Sequence, residues 1–152
     1  MIGLLQRVNH ASVAVNQKII GRIDRGLLVL IGIEKQDSVT RAEKLLERII
    51  GYRVFPDSEG KMNLSLADIK GGLLLVPQFT LPADTSKGMR PSFSPAAPPD
   101  KGRELFEHLL ALAREKYCTV ESGMFGADMQ LTLTNDGPVT FWLKTLRLSA
   151  PA

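Results

Sequence analysis

Apolar residues recur along this chain with two periods, and the change of period marks the elements. Stretches 2–8, 12–15 and 19–23 are short and rich in Val, Ile and Leu, with Asn16-Gln17-Lys18 as a turn between the last two, so they predict strands. Stretch 27–33, opening after Gly26, is almost continuously apolar, as in a strand buried on both faces. The pattern then turns helical, because Ala42, Leu45, Leu46, Ile49 and Ile50 share one face. Thr40, with Glu43 three residues on, predicts a capping box, and Gly51 a C-terminal cap. Stretch 52–55 reads as extended, and Pro56-Asp57-Ser58-Glu59-Gly60 as a turn cluster. Stretch 73–79 predicts a second buried strand, which Pro77 should end or bend.

Stretch 81–99 has no period and holds Pro82, Pro91, Pro95, Pro98 and Pro99. A loop of this length inside a domain is either functional or a flexible excursion. The functional reading is favoured because the loop leaves directly from Gln78-Phe79-Thr80, and Lys87 and Arg90 can meet phosphates. Asp100 is expected to cap a second helix, with Leu105, Phe106, Leu109, Leu110, Leu112 and Ala113 as its apolar face. Stretches 119–121 and 127–134 predict strands. In the latter, Met129, Leu131 and Leu133 alternate with polar neighbours, as in a half-buried strand. Asn135-Asp136-Gly137 is strong turn chemistry, and Pro138 belongs at a strand start, edge or bulge before the last strand, 139–146. Strands with two interspersed helices predict an α/β fold, helices layered on sheet, in a single domain over 1–152.

Bulk properties narrow the function classes only a little. The 152 residues suit one domain. A formal net charge of +3 permits a polyanionic partner without demanding one. No apolar run nears the ~18 residues of a membrane span, and Arg7 interrupts the N-terminal apolar stretch, so no signal peptide and a cytoplasmic location are expected. Cys118, the single cysteine, excludes an intrachain disulfide and reads as an inert thiol or small packing residue.

Two segments carry more. Gln78-Phe79-Thr80-Leu81 and Asn135-Asp136-Gly137-Pro138-Val139-Thr140 resemble the two signature motifs of the D-aminoacyl-tRNA deacylase family. Leu5-Gln6-Arg7-Val8, Gly60-Lys61-Met62-Asn63-Leu64, Gly88-Met89-Arg90-Pro91-Ser92-Phe93 and Phe125-Gly126-Ala127-Asp128-Met129 match further family segments in order. One departure stands out: Pro77 occupies the position where the family usually carries serine. The resemblance implies helices on one side of two stacked β-sheets, and a homodimer with its active site at the subunit interface. It implies hydrolysis of the ester of D-aminoacyl-tRNA and of glycyl-tRNA. It also implies a cis Gly137–Pro138 pair that enters the neighbouring subunit's site and excludes L-residues sterically. Phe125 and Met129 would line the pocket, although core packing is the plainer reading of either. A non-catalytic RNA-binding dimer and a deacylase acting on mischarged L-alanyl-tRNA are the alternatives.

The residue inventory constrains how such a hydrolase would work. A nucleophile–histidine pair needs a histidine, and neither His10 nor His108 lies near a motif in sequence. Two histidines and one cysteine make a zinc site improbable, and no glycine-rich phosphate loop is present, so neither metal nor cofactor is expected. Thr80 can attack a carbonyl or orient water, but is a weak nucleophile without a base. Backbone N–H groups at Phe79 and Thr80, next to Gln78, can hold a developing oxyanion unaided.

Overall fold

The computed structural model describes residues 1–145; the expected end of the last strand, Leu146, lies outside them. The sheet is built around β1 (Ile2–Val15). The two strands expected over 2–8 and 12–15 are one, because Asn9 and His10 stay extended while the pairing with the last strand shifts register on either side of Val8. The first half of β1 pairs antiparallel with β3 (Gly26–Gly32), and its second half with β2 (Lys18–Ile23). The β1–β2 hairpin turns through Asn16 and Gln17, at φ 50° and 65°. Two successive left-handed residues give the turn whose twist matches the flanking strands.

β3 pairs parallel with β6 (Gly72–Pro77), and β6 with β7 (Val120–Ser122). On the other edge of β1 runs β8 (Gln130–Lys144), completing a six-stranded sheet. β4 (Phe55–Pro56) and β5 (Met62–Leu64) form a separate two-stranded ribbon. The second half of β1, with β2, lies across β6 and β7: a Cβ on Gly72 would stand 2.8 Å from Cβ of Ile23, and one on Gly21 3.1 Å from the Ser122 carbonyl.

Three helices complete the described elements. α1 (Val39–Gly51) is capped by Ser38, whose Oγ accepts from the Arg41 N–H at 3.3 Å. The expected cap Thr40 instead sits within the first turn, because Ser38 already occupies the extended position before it. Gly51 is the last helical residue and the chain leaves extended at Tyr52, so no left-handed glycine cap forms. α2 (Leu66–Ile69) was not among the expected elements. Its signal was nevertheless written in the chain, since Ser65 and Asp68 form a reciprocal capping box. α3 (Pro99–Lys116) starts on Pro98 with no side-chain cap; Asp100, the expected cap, lies in the first turn, where its carboxylate complements the positive helix end.

The strict alternation of β3 and β6 divides the core in two. Leu27, Val29, Ile31, Leu73 and Leu75 join α1 and α3 through Leu45, Leu46, Ile49, Phe106 and Leu109. Leu28, Leu74 and Val76 face the other way, onto Val8, Val13, Ile23 and the partly buried Met129, Leu131 and Leu133. Both continuous apolar runs are therefore buried on both faces, as their composition predicts. Each fully buried side chain of this size contributes about 1.5–3 kcal/mol, so these two strands fix the platform from which the motifs leave. No helix among the described residues is long and apolar enough to cross a membrane.

Candidate active site

β6 ends at Pro77, two residues short of the expected 79, because proline cannot extend the ladder as a donor. The chain is then fastened to β3, where the Gln78 N–H donates to the Ile31 carbonyl at 2.8 Å. Two consecutive turns follow. The Leu81 N–H donates to the Gln78 carbonyl at 3.2 Å, and the Ala83 N–H to the Thr80 carbonyl at 3.1 Å. The central residues of the first turn are Phe79 and Thr80. A four-residue turn satisfies its outer groups and leaves its central N–H groups free. Among the described residues neither the Phe79 nor the Thr80 N–H has an acceptor. The Thr80 hydroxyl accepts from Nε2 of Gln78 at 3.0 Å, and both residues stay accessible to solvent.

This turn borders a cavity of about 760 Å³. Gln78 and Phe79 form one wall, Phe125 and Met129 another, and the start of α3 a third. Four sequence-predicted residues are thus brought together, with Thr80 hydrogen-bonded to one of them. Phe79 is 65% exposed at the rim and packs against Phe93, ring centroids 5.5 Å apart. Phe93, Lys35 and Asp128 also line the cavity and were not singled out from the sequence. Phe93 and Asp128 lie inside the quoted family segments; Lys35 had no local signal. The stretch between β6 and α3 is tied down rather than free. Asp84 and Ser92 exchange two backbone hydrogen bonds at 2.8 and 2.9 Å. The Ser86 hydroxyl and N–H also hold the Asp84 carboxyl below the usual carboxylate range. Lys87 and Arg90 are exposed on this stretch, outside the cavity lining, and make no ion pair among the described residues.

The second motif is not a hairpin turn. β8 runs through it as one strand, with an excursion. Gln6 pairs with Thr140 and Val8 with Asn135, so Arg7 alone faces Asp136, Gly137, Pro138 and Val139. The Gly137–Pro138 peptide is cis and both residues are exposed. Arg7 holds the excursion from beneath. Its Nε lies 3.1 Å from the Asp136 carbonyl and 3.0 Å from Oδ2 of Asp136, and its Nη1 donates to the Val54 carbonyl at 2.7 Å. Asn135 closes the base, its Nδ2 donating to the carbonyls of Arg7 at 3.0 Å and Val139 at 3.1 Å. Gly137 and Pro138 do not line their own chain's cavity.

Residues 4–144 match the family model described as D-Tyr-tRNA(Tyr) deacylase. The chain belongs to that family. The D-aminoacyl-tRNA deacylase of Alkalilimnicola ehrlichii is 62% identical over 144 residues, covering 95% of this chain and 96% of that protein. Among solved structures, the c-Myc DNA Unwinding Element Binding Protein aligns with a TM-score of 0.91 and 37% identity, over 96% of this chain and 99% of that one. A structure described as "a probable eukaryotic D-amino acid tRNA deacylase" aligns with a TM-score of 0.78 and 21% identity over 93% of this chain and 97% of that one, a likeness of fold.

In this deacylase-family chain the two histidines and the cysteine stand away from the cavity. His10 shares a 2.9 Å hydrogen bond with Thr134, and Nε2 of His108 lies 3.8 Å from Glu43 between α3 and α1. Cys118 is an exposed free thiol. Among the described residues no three His, Cys, Asp or Glu side chains come together as a metal site. The cavity combines an apolar wall with Lys35 and Asp128, and the turn at its border leaves the Phe79 and Thr80 N–H groups without an acceptor among the described residues.

Proposed function

We propose that this chain hydrolyses the ester linking a D-amino acid, or glycine, to tRNA, so proofreading chirality in translation. Family membership supports the substrate class. The observation that carries the mechanism is the pair of acceptor-free N–H groups at Phe79 and Thr80 on the cavity rim. Water adds to the ester carbonyl, the carbonyl oxygen takes the charge, and the two N–H groups stabilise it. Collapse breaks the bond to the ribose oxygen, which leaves as the tRNA hydroxyl after taking up a proton. The neighbouring ribose hydroxyl assists that transfer. Preorganised donors of this kind are worth about 10²–10³ in rate each. Thr80 positions rather than attacks, because its oxygen already accepts from Gln78 and, among the described residues, no base is hydrogen-bonded to it. With Pro77 in place of serine, that neighbour adds no hydroxyl.

In this reading a second copy supplies Gly137 and Pro138 to the cavity. Their carbonyls form a wall that an L side chain strikes and a D side chain avoids, so selection works by exclusion. Lys87 and Arg90 meet tRNA phosphates, and the helices, the sheet and its folded-over half form the family's three layers in a cytoplasmic homodimer. The test is single-turnover release from D-tyrosyl-, L-tyrosyl-, glycyl- and L-alanyl-tRNA. Release of D-tyrosine and glycine alone is expected; equal release of L- and D-tyrosine would end the proposal. The likeness to a protein named for DNA binding favours a second reading, a nucleic-acid-binding dimer without chemistry. It predicts bound tRNA with no release in the same assay.

A further inference from the structure

A second, smaller hollow of about 340 Å³ adjoins the cavity, and Lys35 lines both. Its charged lining is Lys35, Arg41 and Lys144 against a single carboxylate, Glu34. That carboxylate is already engaged, its Oε2 lying 3.3 Å from Nζ of Lys144. Arg41 reaches Oδ1 of the buried Asp37 at 3.3 Å, but the same oxygen also meets the Met1 ammonium at 2.5 Å. Lys35 is exposed and has no carboxylate partner among the described residues. The hollow is left with a surplus of positive charge, and like charges gathered on one surface repel until an anion joins them.

Main-chain hydrogen bonds hold this surplus in place. Past β3 the chain is laced to the segment before α3, with the Lys35 N–H donating to the Pro95 carbonyl at 3.1 Å and the Ala97 N–H to the Ile33 carbonyl at 2.9 Å. Lys101, in the first turn of α3, adds a second cation without a carboxylate partner among the described residues, its Nζ donating to the Lys35 carbonyl. A cation fastened at the border of two hollows suits an anionic chain that crosses from one to the other. In the proposed function the ester lies at the Phe79–Thr80 turn, so the phosphates next to it must pass over the surface that borders the cavity. An ammonium there meets a phosphate as a charge-assisted hydrogen-bond donor.

We propose that this second hollow, with Lys35 at its head, binds the phosphodiester backbone of the single-stranded 3′ end of tRNA where it runs off the cavity. This rests on the reading of tRNA as substrate. The test is the salt dependence of binding to uncharged tRNA, read by fluorescence anisotropy. Each phosphate contact on a single strand adds a slope of about 0.7 in log Kd against log salt. Lys35→Gln and Lys144→Gln should each lower the slope by about 0.7, and the pair by about 1.4. Both side chains are exposed, so the variants should fold as the parent does. With tRNA trimmed of its single-stranded 3′ end, parent and variants should share one slope. An unchanged slope on intact tRNA, or the same reduction on trimmed tRNA, would overturn the inference while leaving the proposed function standing. Binding needs no hydrolysis, so a parent that gives the expected slopes but releases no D-tyrosine would end the proposed hydrolysis alone. A parent that binds no tRNA would end both.

Discussion

At the scale of single residues, the proposed mechanism rests on backbone atoms, and this can be tested by substitution. Phe79→Pro removes one donor while placing proline at the second position of a turn, where it is favoured. Phe79→Ala removes the ring and keeps the donor. Phe79→Pro should be slower than Phe79→Ala by about 10²–10³ in single-turnover release. Equal rates would remove the N–H from the mechanism. Thr80→Ala should cost only roughly fivefold, the worth of one neutral hydrogen bond of about 1 kcal/mol. Gln78, Phe79 and Thr80 stand out in the sequence as one group because motif residues are visible as letters, and the structure places Gln78 and Phe79 in the cavity lining with Thr80 next to them. The sequence did not single out Phe93 or Lys35 as cavity residues, because their part depends on how 81–98 folds back. It also misplaced both expected helix starts: Thr40 and Asp100 are good capping residues two positions too late, and local chemistry alone does not decide which residue takes the extended position.

At the scale of elements, the excursion in β8 depends on Arg7, with its side chain 12% exposed. Lysine presents one compact charge and cannot reach both Asp136 and Val54 as a planar fork does. If Gly137 and Pro138 position the ester, Arg7→Lys should slow release on the order of 10²-fold, the usual cost of a small misplacement. An unchanged rate would detach the excursion from the site. The α2 capping box offers a test by stability. Ser65→Ala should cost about 1 kcal/mol, read as a lowered Tm. The Ser65 N–H and hydroxyl hold the Asp68 carboxyl below its ordinary 3.8. A depressed folded pKa gives stability that is present above the ordinary value and lost as pH falls through the folded one. The Tm gap between parent and Asp68→Asn should therefore be open at neutral pH and close below pH 3.8. Strand periodicity foretold β3, β6 and most of β8, since alternation and continuous apolar runs report burial directly. The path of β8 through Asn-Asp-Gly-Pro was not foretold: turn chemistry is local, whereas pairing with β1 is not.

At the scale of the molecule, β8 pairs on one side only among the described residues, and its Trp142 is 50% exposed. An unpaired edge of this length is usually covered, which accords with a dimer that carries Gly137 and Pro138 to a partner. Sedimentation should show a dimer, and dilution below its dissociation constant should abolish release; a fully active monomer would refute this. The pairing of Ile2 with Lys144 also bears on how the chain is made. β1 leaves the ribosome about 115 residues before β8 begins, roughly 6–23 s at ~5–20 residues per second. For that interval a strand with buried-side apolar residues waits without its later neighbour, a natural client for a chaperone. Nascent chains stalled before residue 130 should stay protease-sensitive and become resistant only once β8 has emerged; early resistance would mean that the rest of the sheet stands without it.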